Sequence, residues 1–128
     1  MRVLCIDDDS LNREVVRSML SVAGAQAVSA ANAEAGLAMV DAETFAAVLM
    51  DLRMPGMDGL TATRRLRGRG DTKASMPIIV VTAESGLHLR DECLAAGADD
   101  LLQKPITMTK LFQSLGHAMA RRASGTIA

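Results

Sequence analysis

Asp7, Asp8 and Asp9 follow directly on an apolar run in the stretch VLCIDDDS. Two carboxylates about 5 Å apart repel by roughly 3 kcal/mol at an effective dielectric near 20, so a cation is expected beside them. Other reactive side chains occur in equivalent places. AAVLMDLRMPGMDG sets Asp51 at the end of an apolar run, IIVVTAES sets Thr82 at the end of another, and DDLLQKP sets Lys104 after a third. A site with few carboxylates and otherwise oxygen ligands suits magnesium, which keeps several waters and also binds phosphate oxygens. Asp51 then stands beside a divalent cation, with Thr82 and Lys104 placed to hydrogen-bond and neutralise a phosphoryl group. A carboxylate can itself be the nucleophile in such a site, forming an aspartyl phosphate.

These groups meet only if the elements carrying them share one edge. Short apolar runs recur at 3–6, 26–30, 46–50, 77–81 and 100–103, with helical periodicity between them, which is the alternation of a parallel sheet wrapped by helices. Runs three and four are apolar without alternation, so they are expected in the centre with both faces covered. After the first acids, Leu11, Val15, Met19 and Val22 mark a helix of about 13 residues, with Ser10 as its N-cap and Gly24 as its stop. Further helices are expected over 33–42, over 58–67 with Asp58 as cap, and over 86–96 closed by Gly97. Met108, Leu111, Phe112, Leu115 and Met119 give the clearest apolar face, that of a last helix. Residues 68–75 read as a polar loop, and the division expected is one domain over 1–121 followed by a flexible tail or linker start over 122–128. In an open sheet of this kind ligands sit outside the carboxyl ends of the strands, where all the groups named above would lie.

Composition narrows the function classes. The 128 residues suffice for one domain that buries roughly two thirds of its unfolded surface. There is no Trp or Tyr, and Phe45 and Phe112 are the only aromatic side chains, so the core is aliphatic and Met-filled and base-stacking platforms are excluded. A net charge of −1 creates no field for nucleic acid or an acidic membrane, and the arginines of RRLRGRG read as a solvated helix end. Cys5 and Cys93 have neither metal-ligand spacing nor a disulfide framework, and reduced buried thiols fit the cytoplasm. No signal peptide or membrane span is visible. DDDSLNREVVRS fails as a calcium loop, because Leu11 and Asn12 occupy positions that need an oxygen ligand and a glycine. His88 and His117 lack partners at ligand spacing and do not read as phosphodonors.

IDDD, MDLRMPGMDG, VVTA and QKP, in that order and at these intervals, resemble the receiver domains of two-component response regulators over essentially the whole chain. The resemblance implies a flavodoxin-like doubly wound α/β fold, five parallel strands in order 2-1-3-4-5 with five helices. It implies that Asp51 accepts a phosphoryl group from a phosphohistidine on a histidine kinase or histidine phosphotransfer protein. Asp8 and Asp51 would ligate Mg²⁺ directly, Asp7 through water, and the backbone carbonyl of Arg53 would complete the protein ligands, with Mn²⁺ able to stand in. Thr82 would bind one phosphoryl oxygen and Lys104 another, and the Lys104-Pro105 bond would be cis. Such a domain is a phosphoacceptor module that assists its own transfer rather than an enzyme of the usual kind.

Two features depart from the family pattern. Leu101 stands where many receivers carry Tyr or Phe, so a threonine–aromatic switch has no ring to use here. Arg53 and Glu84 each lie two residues beyond Asp51 and Thr82, and a pair between them across the site would screen attacking water. Two other functions compete. An aspartate-nucleophile phosphatase also uses magnesium but generally places a second acid where this chain has Arg53. A phosphorylation-independent interaction module commonly loses the acids or the lysine, which this chain keeps. The stretch MDLRMPGMDGLTATRRLR resembles receivers of hybrid sensor kinases, which favours that setting over a stand-alone regulator.

Overall fold

The computed structural model describes residues 1–124. Five strands, β1 (Arg2–Ile6), β2 (Gln26–Ala30), β3 (Ala47–Asp51), β4 (Ile78–Thr82) and β5 (Asp100–Gln103), form one sheet in the order β2-β1-β3-β4-β5. Every pairing is parallel, and the register sets Asp51 beside Val81 and Thr82 beside Gln103. The helices are α1 (Ser10–Val22), α2 (Ala33–Ala42), α3 (Gly59–Arg67), α4 (Leu89–Ala96) and α5 (Met108–Ser124), with a 3-10 turn at Thr72–Ser75. The expected flavodoxin-like doubly wound architecture is therefore the one observed.

The sheet is covered on both sides, which is why its central strands are continuously apolar. Val3, Cys5, Leu49, Ile79 and Val81 pack on one side against Val16 and Leu20 of α1 and Leu111 and Leu115 of α5. On the other side Leu4, Ile6, Val48, Met50 and Ile78 meet Val40 of α2 and Ala62 and Leu66 of α3. Each fully buried side chain of this kind contributes about 1.5–3 kcal/mol.

The edge of α1 differs from expectation. Its N-cap is Asp9, whose carboxylate accepts from Leu11 N, and Ser10 is already helical. The expected apolar stripe is also displaced: Leu11 and Val22 are 69% and 73% exposed, whereas Val16 and Leu20 face the sheet. The helix carries two apolar stripes one residue apart, and periodicity alone does not say which one the sheet takes. α4 begins at Leu89 rather than residue 86, because Glu84 is held at the sheet edge by hydrogen bonds to three other segments. Its end is as expected: Gly97 adopts φ +112°, a left-handed backbone that closes the helix without the penalty a side chain would bring. The stretch 68–75, expected as loop, contains the 3-10 turn, capped by Asp71 through Lys73 N.

At the amino ends of β4 and β5, Asp99 gathers Arg67, Arg122 and the backbone N–H of Ile78 at 3.0, 2.7 and 2.9 Å. Arg67 pairs by the same guanidinium with the Gly97 and Ala74 carbonyls. Burial, with Arg122 beside it, lowers the Arg67 pKa to about 10. This network ties the end of α5 to the sheet, so the helix runs past the expected boundary at residue 121 to Ser124. The remainder of the expected tail, 125–128, lies outside the described residues.

Candidate functional site

Asp51 and Thr82 close β3 and β4, and Asp7 and Lys104 stand one residue beyond β1 and β5, so four of the five strands carry a reactive side chain at their carboxyl ends. Beyond β1, Asp7 is buried and Asp8 exposed. All the oxygens of Asp7 are engaged: Oδ1 accepts from Asp9 N at 2.9 Å, the carbonyl accepts from Arg13 Nη1 at 2.7 Å, and Oδ2 lies 3.3 Å from Lys104 Nζ. No motif in the sequence marks Arg13. Its position about one turn into α1 is the only signal that it could reach back to the β1 loop.

Asp51 closes β3 and is also buried. The start of α3 packs directly on its backbone, with Gly59 N donating to Leu52 O at 2.9 Å. A Cβ at residue 59 would lie 2.3 Å from the Asp51 carbonyl oxygen, so only glycine fits. Lys104 follows β5 through a cis bond to Pro105, and its N–H donates to Thr82 O at 2.7 Å. Its ammonium bridges Asp7 and, at 3.4 Å, Asp51 Oδ1.

Asp7, Asp8 and Asp51 each offer a carboxylate oxygen, and these oxygens lie within 4.8 Å of one another. Burial first, and then the charge of Asp7, pushes the Asp51 pKa up to about 6, with Lys104 acting against the rise. Burial disfavours the Lys104 charge, but Asp51 and Asp7 outweigh it and hold its pKa above the usual lysine value. Lys104 pairs with Asp7 and Asp51 and not with Asp8. Hard oxygen donors in this number, partly exposed, fit a magnesium-sized cation that keeps some of its waters. A cavity of about 180 Å³ opens beside Asp7, Asp51 and Lys104, with Cys5, Val16 and Val81 among its walls. Burial, and then Asp7, raises the Cys5 thiol to about 12, which leaves it inert as a nucleophile.

Thr82 ends β4 one residue past the register partner of Asp51. Its hydroxyl oxygen accepts from Glu84 N at 3.1 Å. The Glu84 carboxylate takes Arg53 Nε on both oxygens, at 3.1 and 3.0 Å, so the pair expected across the two loops is formed. Gln103 Nε2 also donates to the Glu84 carbonyl at 3.0 Å, a contact with no signal in residue type or spacing. Among the described residues no helix is long and apolar enough to cross a membrane.

Comparison with known proteins converges on one family. The family model described as response regulator receiver domain matches residues 3–116. The sensor protein GacS of Pseudomonas syringae pv. syringae is 39% identical over 114 residues, 88% of this chain but 13% of that protein. The response regulator MprA of Mycobacterium tuberculosis is 38% identical over 122 residues, 95% of this chain and 51% of that protein. The chain thus spans about half or less of the length of these relatives.

Among solved structures, the receiver domain of a sensor histidine kinase from Pseudomonas aeruginosa PAO1, with a magnesium ion coordinated in its active-site cleft, superposes with a TM-score of 0.84. The two are 30% identical, over 93% of this chain and 97% of that one. A CheY-like response regulator receiver domain protein from Methanospirillum hungatei JF-1 gives a TM-score of 0.86 at 27% identity, over 97% of both chains.

Proposed function

The chain belongs to the response regulator receiver domain family of two-component signalling, and on that premise we propose that Asp51 is its phosphoacceptor. The donor is the phosphohistidine of a histidine kinase or histidine phosphotransfer protein, acting in the cytoplasm. One observation carries the reading: Asp7, Asp8 and Asp51 bring carboxylate oxygens within 4.8 Å while Lys104 bridges two of them. Side chains from β1, β3 and β5 thereby meet at one rim.

With a pKa of about 6, Asp51 is mostly ionised near neutral pH and needs no general base. Its carboxylate oxygen attacks phosphorus in line. The new O–P bond forms as the P–N bond to the donor imidazole breaks, and the electron pair returns to that nitrogen. Lys104 is placed to neutralise charge on the transferring group, and the Thr82 hydroxyl donates to another of its oxygens. Asp8 and Asp51 would hold Mg²⁺ directly, Asp7 through water, with the Arg53 carbonyl as the last protein ligand; Mn²⁺ would substitute. When bound, the cation would supply charge neutralisation for the transferring group. The rest of catalysis is positioning.

Arg53, engaged by Glu84, offers no acid/base where an aspartate-nucleophile phosphatase needs one. The likeness to GacS supports a place within a longer hybrid sensor kinase. Incubation with an acyl phosphate and Mg²⁺, followed by intact-mass measurement, tests the assignment. One phosphoryl group is expected on the native chain and none on Asp51→Asn; equal uptake by both removes Asp51 from the role.

A further inference from the structure

Glu84 is tied at three points to three strand ends. Its N–H donates to the Thr82 hydroxyl at the end of β4, its carboxylate receives Arg53 from the loop after β3, and its carbonyl receives Gln103 from the end of β5. A hydroxyl oxygen that accepts from a backbone N–H keeps its own proton free to donate elsewhere. The Glu84 tie therefore presets Thr82 as a donor, the polarity that a phosphoryl oxygen requires. What keeps Glu84 in place is in turn Gln103. Its backbone is fixed by the register with Thr82 and by Lys104 N donating to Thr82 O at 2.7 Å, so its amide spans a set distance to the Glu84 carbonyl.

We propose that Gln103 is a positioning residue for phosphoryl transfer: its side-chain amide holds the turn at Glu84 that orients the Thr82 hydroxyl and presents Arg53. The role rests on Asp51 being the acceptor. Gln103 is exposed and its hydrogen bond is neutral, so removing it loosens the turn while leaving the folded sheet intact. Its effect is expected in the transfer rate and not in metal affinity, since Asp7 and Asp8 follow β1, Asp51 closes β3, and Glu84 engages only the side chain of Arg53 and not its carbonyl.

Gln103→Met keeps the length without a donor, Gln103→Glu keeps the shape as an acceptor only, and Gln103→Lys restores a donor. Uptake from an acyl phosphate at saturating Mg²⁺ is followed by intact mass, Mg²⁺ affinity by thermal shift, and the Glu84 amide by hydrogen exchange. Gln103→Met and Gln103→Glu are expected to slow uptake roughly 2- to 10-fold, the worth of one neutral hydrogen bond. They are also expected to speed Glu84 exchange and leave Mg²⁺ affinity unchanged, while Gln103→Lys returns both readings toward the native values. Native rates and exchange in Gln103→Met and Gln103→Glu, or a Gln103→Lys variant as slow as they are, overturn the positioning role alone. A native chain that takes up no phosphoryl group overturns the assignment of Asp51 and this role with it.

Discussion

Lys104 Nζ stands 3.3 Å from Asp7 and 3.4 Å from Asp51, linking residues 97 and 53 positions away in the chain. The ammonium therefore partly neutralises two carboxylates that otherwise repel across the rim. Lys104→Ala is expected to raise the Asp51 pKa further and to slow phosphoryl uptake on the order of 10²-fold, the usual effect of losing one transition-state charge partner. Uptake from an acyl phosphate at fixed Mg²⁺ measures it, and a rate within a factor of about two of native would show that the lysine serves the resting structure only.

Adding Mg²⁺ at neutral pH is expected to stabilise the fold, by about 2.7 kcal/mol when the free ion reaches 100 times its Kd. Asp8→Asn and Asp51→Asn remove proposed ligands and are expected to abolish most of that gain, and chelation to reverse it in the native chain. Thermal unfolding with and without the ion reads this directly. Full retention of the shift in Asp8→Asn would place the ion elsewhere.

Arg53 and Glu84 pair between the loops that follow β3 and β4, a placement proposed to screen Asp51 from water. Either Arg53→Ala or Glu84→Ala is expected to shorten the life of the phosphoryl group by opening that approach to water. Stability should change by less than about 1 kcal/mol, because the pair is exposed. Phosphoryl loss after removal of the donor is the measurement, and unaltered rates in both variants refute the screen.

Gly59 lets α3 begin against the Asp51 backbone, where a Cβ would lie 2.3 Å from the carbonyl oxygen and 3.0 Å from Leu52 Cα. Neither neighbour is a flexible side-chain tip that can step aside. Gly59→Ala is expected to cost about 1–3 kcal/mol, the usual penalty of overpacking, and to reduce phosphoryl uptake because the displaced atoms belong to Asp51 itself. Native-like unfolding of this variant would show that α3 moves freely away from β3.

Asp100 carries a pH signature away from the site. Burial works to raise its pKa, but Ser114 and Arg90, donating at 2.5 and 2.7 Å, outweigh it and hold the carboxyl below its ordinary value. The stabilisation it brings is complete above the ordinary carboxylate pKa and disappears as pH falls through the lowered folded value. The stability gap between the native chain and Asp100→Asn is therefore expected to stay level from neutral pH down to about 5 and to close only in stronger acid. A gap already closing near neutrality contradicts the assignment.

The order of elements, the two-sided burial of β3 and β4, and the placing of Asp7, Asp8, Asp51, Thr82 and Lys104 at the ends of apolar runs were all determined by the sequence. Local physics sets each of them: apolar runs of strand length, caps such as Asp58, and charged or polar side chains at the ends of those runs. The tertiary structure decided which stripe of α1 is buried, since Val16 and Leu20 meet a sheet face that no neighbouring residue in sequence supplies. It also decided the start of α4, the Arg13 bond to Asp7 and the Gln103 bond to Glu84. These depend on distances between strand ends, and such distances exist only once the parallel register has brought separate segments of the chain together.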